Sequence, residues 1–158
     1  MNVLEAGLFE ISKLFLMPVL ILIVLALAYA FIAAGAFAME AWQRYRKTYH
    51  SPLVAYQTAC PVGSDDLELW IMKRLEWLRI VSRTAPMLGL VATMIPMGPA
   101  LLALASNDAK AIGESLVVAF SAVILALVSA SITFVLLTVR RRWLLQELRA
   151  IERQTETA

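Results

Sequence analysis

Three polar side chains stand in or beside one long apolar stretch, where they could act on a charge. Glu114, Ser121 and Ser129 follow one another near a charge-free run that ends at residue 139. At 100° per residue, a helix would place Ser121 about 20° and Ser129 about 60° around its axis from Glu114. The three would then form a polar line down one face, and polar groups inside membrane helices commonly mark ion or proton routes.

Two simpler interpretations stay open for these residues. Serine hydroxyls in a helix often donate to carbonyls of their own helix, one turn earlier. Glu114 is equally consistent with an acid in the first helical turn at the membrane interface, where the helix dipole favours a negative charge.

A second group of residues precedes this line and combines prolines with small side chains. Three prolines occur within one apolar run, and each removes a helical hydrogen bond, so the helix should bend and leave carbonyls to be satisfied inside the protein. Ala85, Gly89 and Thr93 recur every four residues and would allow another backbone to approach closely, which on its own indicates simple close packing. The prolines are Pro86, Pro96 and Pro99.

These residues must be positioned by membrane helices, because the chain has little else. Of its 158 residues, 61% are hydrophobic and 16% are charged. Three spans are predicted, over residues 14–39, 84–105 and 115–139, each as long as the roughly 20 residues that cross a bilayer. The first is too long, and lacks the basic flank, for a cleaved signal peptide. We therefore expect an all-α membrane protein with one membrane domain.

The distribution of lysine and arginine predicts the orientation of these spans. Residues 40–83 and 140–158 together carry twelve basic residues, whereas the other side carries two. Basic loops are retained in the cytoplasm. The sequence therefore predicts an inner-membrane protein with its amino terminus outside and its carboxyl terminus in the cytoplasm, and with Trp42 and Trp143 as interfacial anchors.

The predicted inner loop has its own helical organisation. Ser51 and Pro52 form a helix-start signal, and a break at residues 60–63 precedes a second start at Ser64. From there a rod through residue 105 would be about 60 Å long. Apolar residues at helical spacing line its first half and the tail after span three. We expect these stripes to be covered by each other and by neighbouring subunits of a homo-oligomer; they comprise Leu67, Trp70, Ile71, Leu75, Leu78 and Val81, and Leu144, Leu148 and Ile151.

Several kinds of chemistry lack support in the sequence. A single cysteine, Cys60, and a single histidine, His50, provide neither a disulfide framework nor a metal-ligand set. We find no paired carboxylates or nucleophile–base set, and predict no enzyme activity and no cofactor. Because the basic residues flank apolar runs, the net charge of +2 does not indicate nucleic-acid binding.

The second span carries a recognisable motif. Residues 85–95 read Ala-Pro-Met-Leu-Gly-Leu-Val-Ala-Thr-Met-Ile, which resembles A-P-x-L-G-L-x-G-T-x-x-G-M, the second-helix signature of the ExbB, TolQ and MotA proton-channel family. Residues 114–119 are similar to the family's E-A-L-x-A-T. The resemblance covers about residues 80–143. Ala92, Ala119 and Val128 depart from the pattern, and Ser121 could supply the hydroxyl that Ala119 lacks.

The resemblance implies a proton-channel subunit of the stator type. Such subunits form a pentamer around a dimer of a single-span ExbD/TolR/MotB-like partner, whose membrane aspartate carries the proton, and together they convert ion-motive force into mechanical work. Thr93 would face that aspartate, and the ion pathway would include Glu114, Ser121 and Ser129. Because the chain lacks the fourth span and large cytoplasmic domain of MotA-type stators, it resembles a minimal ExbB/TolQ-like subunit. The alternative is a non-conducting membrane scaffold or transporter accessory subunit.

Overall fold

Three long helices account for nearly all of the structure. The computed structural model describes residues 3–46 and 64–156, which form α1 (Val3–Tyr45), α2 (Ser64–Ala105) and α3 (Ala109–Glu156). Each contains a segment long and apolar enough to cross a membrane: Glu10–Tyr45, Asp65–Ala105 and Ala109–Arg153. The predicted all-α membrane fold with three spans is confirmed. His50, the Ser51 helix start and Cys60 lie outside the described residues.

Helix α2 is the continuous rod that the sequence predicts. It begins at Ser64, with Asp65 and Asp66 in its first turn, where carboxylates favour the positive end of the helix dipole. It then continues through all three of its prolines to Ala105. Proline fixes a backbone angle that a helix already uses, so each one removes a hydrogen bond without ending the helix here.

The connection from α2 to α3 is shorter than expected. Asn107 adopts a left-handed conformation with φ of 61°, which reverses the chain within three residues. Asp108 then caps α3, since its Oδ1 accepts hydrogen bonds from the backbone N–H groups of Lys110 and Ala111, each at 3.2 Å. Helix α3 therefore begins at Ala109, six residues before the predicted span, and Glu114 lies in its second turn rather than its first.

Helices α2 and α3 form an antiparallel hairpin with two different halves. We call residues 64–83 packed on 140–153 the polar half, and residues 84–105 packed on 109–139 the apolar half. In the polar half, large aliphatic side chains of both helices fill the contact and are almost completely buried. They include Leu67, Ile71, Leu75, Leu78, Leu144, Leu148 and Ile151.

This packing corrects one expectation from the sequence. We expected neighbouring subunits to be needed to cover the apolar stripe of α2 and the small residues Ala85 and Gly89. The structure buries Ala85, Gly89 and the four aliphatic residues from Leu67 to Leu78 within a single chain, with Leu75 1% and Ala85 0% exposed, and leaves Trp70 and Val81 partly buried. The hairpin is long enough to bring the tail of α3 alongside the first half of α2, so these residues give no argument for an oligomer.

Helix α1 packs against both helices of the hairpin. Within the span, Val19 and Ile23 contact the small-residue surface of the apolar half. Near the other end, Arg140 donates to Glu40 Oε2 from Nε at 3.1 Å and from Nη2 at 2.8 Å. Arg44 pairs with Glu147 of α3 as well.

Aromatic rings strengthen this attachment of α1. The rings of Phe37 and Trp143 stack with centroids 5.1 Å apart and planes 9° from parallel. The guanidinium of Arg44 lies 4.6 Å from the centre of the Trp143 ring. Trp143 therefore contacts α1 and is half-buried, whereas Trp42, the other predicted anchor, is 58% exposed.

Candidate functional site

Helices α2 and α3 approach each other closely at Gly89. A Cβ atom at this position would lie 3.0 Å from the Cβ of Ala126 and 3.3 Å from Cγ2 of Val123. Contacts this short mean that even a methyl group would require Ala126 or Val123 to shift, so the glycine favours the close approach of the two backbones in the span. The contact also fixes the register between the helices.

This register places Thr93 level with Ala119, which stands where the family pattern has a threonine. Gly89 is level with Val123 and Ala126. The helices are antiparallel and have the same rise per residue, so a step of four residues forward on α2 corresponds to four residues back on α3. Thr93 is therefore level with Ala119 and Ala122. Both alanines are 3% exposed and lie at the contact. Position 119 of α3 therefore supplies no hydroxyl beside Thr93.

The polar groups around Thr93 come from α2 itself. The half-buried Thr93 side chain donates from Oγ1 to the carbonyl of Leu90 at 2.8 Å. Pro96 and Pro99 lack the N–H groups that would otherwise pair with the carbonyls of Ala92 and Ile95. One turn of α2 thus combines a hydroxyl with two carbonyls that have lost their helical partners.

The structure divides the predicted polar line of α3. Glu114 and Ser121 are exposed on the single chain, and Ser121 donates from Oγ to the carbonyl of Val117 at 2.7 Å. Ser129 is fully buried and donates to the carbonyl of Ala126 at 2.9 Å. Glu114 and Ser121 therefore share an exposed face, whereas Ser129 lies in the packed interior. Both serines bond back to their own helix, as the simpler interpretation expected.

Thr133 was not singled out from the sequence, although it is buried with Ser129. It is 0% exposed and donates to the carbonyls of Ser129 at 2.8 Å and Ala130 at 3.1 Å. A signal was available, because Ser129 and Thr133 continue a series of small residues spaced three or four apart along α3. That series is Ala119, Ala122, Ala126, Ser129 and Thr133.

The hydroxyls retain chemical capacity despite these backbone bonds. A threonine that donates its proton to a carbonyl still has oxygen lone pairs that can accept a hydrogen bond from a protonated carboxyl group. If the hydroxyl rotates away from its carbonyl, it can donate to a carboxylate instead. Thr93 can therefore serve both protonation states of an acid brought to this level of the span. Ser129 and Thr133 are enclosed by the hairpin of the single chain and lack such access.

Comparison with protein families identifies the region that contains this site. The model of the MotA/TolQ/ExbB proton channel family matches residues 61–153. The match includes all of α2 and nearly all of α3. Comparisons with curated proteins and with solved structures give no match.

Proposed function

Because the chain belongs to the MotA/TolQ/ExbB proton channel family, we propose that it is a stator-like channel subunit that acts with a single-span ExbD/TolR/MotB-like partner. The complex would convert ion-motive force into mechanical work. The observation that carries this proposal is the family match across nearly the whole α2–α3 hairpin. The polar turn around Thr93, midway along the span, is the group best suited to the chemistry.

The proposed mechanism uses that turn to lower the cost of a charge in the membrane. A carboxylate of the partner must lose and regain a proton in an apolar environment that strongly disfavours its charged form. The Thr93 hydroxyl would donate to the carboxylate, and the carbonyls freed by Pro96 and Pro99 would accept hydrogen bonds from water around it or from the protonated acid. A proton moving down the membrane potential releases about 2.3 kcal/mol per 100 mV, which can bias motion of the partner.

Orientation and assembly are part of the same proposal. Twelve basic residues on one side favour a cytoplasmic position for the polar half of the hairpin, with the amino terminus outside. The pentamer around a partner dimer, and the location in the inner membrane, are expected from the family. Glu114 and Ser121, which are exposed on the single chain, would then be available to the pore or to a neighbouring subunit.

Substitution of Thr93 by valine tests the mechanism. Thr93→Val removes the hydroxyl at nearly constant volume, so proton flux into vesicles containing the chain and its partner should fall while the yield of the complex is unchanged. Thr84→Val is the matched control, because Thr84 lies nine residues earlier on α2, about 180° around the helix, and also bonds to its own backbone. Equal flux in the two variants would remove Thr93 from the pathway.

Two further substitutions test the other pathway residues, and the flux of the wild-type complex separates the channel from the non-conducting scaffold. Ser121→Ala should reduce flux less than Thr93→Val, and Glu114→Gln should have almost no effect if that exposed carboxylate lies at the interface. If the wild-type complex carries no proton flux under any applied potential, the non-conducting scaffold would replace the channel.

A further inference from the structure

Five arginines of the hairpin converge on one groove at the boundary between its two halves. The groove lies between α2 and α3 and has a volume of about 1030 Å³. No carboxylate lines it among the residues that the structure describes. We call it the basic groove, after its arginines Arg79, Arg83, Arg141, Arg142 and Arg149.

The charge in this groove is not balanced by ion pairs among the residues that the structure describes. Two other arginines at a similar depth, Arg44 and Arg140, are paired with Glu40 and Glu147. Within the described parts of the chain, the five groove arginines form no ion pair. Retention of a basic flank in the cytoplasm requires only that the charges lie on one side of the membrane, not that they share a groove. Mutual repulsion of the guanidinium groups therefore favours an anionic occupant.

The walls of the groove change character along the hairpin. Toward the apolar half, Phe134 and Leu137 contribute to the lining, and beyond residue 139 the arginines take over. Phe134 lies fifteen residues before Arg149, or about 22 Å along α3. An apolar wall that leads into a cluster of arginines matches a molecule with a hydrocarbon portion and an anionic head.

We propose that the basic groove binds the phosphate headgroup of an anionic phospholipid from the adjacent leaflet, and that an acyl chain of the same lipid lies against Phe134 and Leu137. Guanidinium groups pair with phosphate oxygens through two parallel hydrogen bonds, which makes arginine well suited to this headgroup. Basic pockets between membrane helices bind such lipids at this depth. The proposal depends on the membrane spans but not on proton conduction.

The test uses the full-length chain in neutral detergent, with bound lipid counted by native mass spectrometry. Phosphatidylglycerol should bind in preference to phosphatidylcholine with the same acyl chains. Arg83→Gln combined with Arg141→Gln should weaken phosphatidylglycerol binding by about 25-fold, because each arginine near an anionic membrane contributes about fivefold. Arg83→Lys with Arg141→Lys keeps the charge but loses the paired hydrogen bonds, so its binding should lie between those of the wild type and the glutamine variant, which separates lost charge from misfolding.

The matched control removes two charges from the same side of the membrane but outside the groove. Arg46→Gln combined with Lys73→Gln should leave phosphatidylglycerol binding within about twofold of wild type, since neither residue lines the groove. Equal losses in the two glutamine variants would overturn the site in favour of general attraction to basic residues.

Two other outcomes would replace the lipid by a different occupant. If millimolar glycerol phosphate displaced the lipid completely and the two bound with equal affinity, the groove would be a site for soluble phosphate. If the groove variant dissociated an oligomer while lipid binding was unchanged, the occupant would be an acidic surface of a second copy of the chain. Either result overturns the lipid proposal, and neither affects the Thr93 flux test.

Discussion

The two halves of the hairpin pack their helices with side chains of different size: large ones in the polar half and small ones in the apolar half. In the polar half, large side chains such as Leu67 and Leu148 are buried and most charged residues are exposed. In the apolar half, alanine and glycine fill the contact, while Leu90, Met94 and Phe120 are 63%, 74% and 59% exposed. One pair of continuous helices changes its pattern at the membrane boundary.

The difference reflects the solvent on each side of that boundary. In water, burying a leucine side chain gains about 1.5–3 kcal/mol, so large apolar residues belong in the contact. In lipid the surroundings are as apolar as leucine, and that gain disappears. Helices there associate through close backbone approach, which small residues permit. The apolar half therefore puts its large residues outside and its small ones between the helices.

The largest effect that we predict comes from the polar half. Leu75 is 1% exposed, so Leu75→Ala should lower the free energy of unfolding by about 2–5 kcal/mol through lost burial and a new cavity. Leu69→Ala on the same helix is the control. Because Leu69 is 47% exposed, this substitution should lower the free energy of unfolding much less. Unfolding in mixed micelles with increasing sodium dodecyl sulfate would measure both. Similar losses would mean that the polar half is not packed as a water-soluble core.

A smaller effect is predicted where the backbones meet in the apolar half. Gly89→Ala places a Cβ 3.0 Å from that of Ala126, and such overpacking costs about 1–3 kcal/mol. Alanine gains back about 0.5–1 kcal/mol in helical preference, so the net loss should be about 1 kcal/mol.

The same substitution at an open glycine provides the control. A Cβ at Gly35 in α1 meets nothing within 4 Å, so Gly35→Ala should not destabilise the chain. Adding Ala126→Gly to Gly89→Ala should restore part of the lost stability. The close-approach explanation would be wrong if the Ala126 substitution deepened the loss. Because Gly89 contacts its own chain, Gly89→Leu should disturb the protomer before it disturbs assembly.

The smallest effect is predicted for the buried hydroxyl of Thr133. Its partners are carbonyls of its own helix, so Thr133→Val should cost less than about 1 kcal/mol, as polar contacts in membrane helices usually contribute. Thr138→Val, at an exposed hydroxyl that bonds to the Phe134 carbonyl at 2.8 Å, should change stability even less. A loss of several kcal/mol at Thr133 would show that this hydroxyl also serves a partner on another element.

Much of the fold could be predicted from local signals. Long charge-free runs predict the spans, and Ser64 marks the start of α2 as expected, because both depend on residues close together in the chain. The early start of α3 was missed because residues 108–114 include three charged side chains. A search for charge-free runs therefore begins only after them. The Asp108 cap and the left-handed Asn107 define that start instead.

The candidate site was only partly predictable. The sequence identifies Thr93 through the motif and Pro96 and Pro99 through the unusual number of prolines in one span, and all three lie in α2 as expected. It does not show that Ser129 is enclosed while Ser121 is exposed, because helical angles within α3 say nothing about which face meets α2. Thr133 was missed although it continues the series of small residues along α3, because that series was not followed beyond Ser129.

The sequence by itself determined the number of spans, the extent of α2 and the family, since hydropathy, caps and motifs are local properties of the chain. Only the tertiary structure decided which faces are covered. Gly89 against Ala126 sets an antiparallel register, and that register brings the tail of α3 onto the first half of α2. Through it, most of the apolar residues that we expected a second subunit to cover are buried within one chain, and five arginines from separate segments meet in one groove. Contacts between residues far apart in sequence depend on this register, which no local pattern encodes.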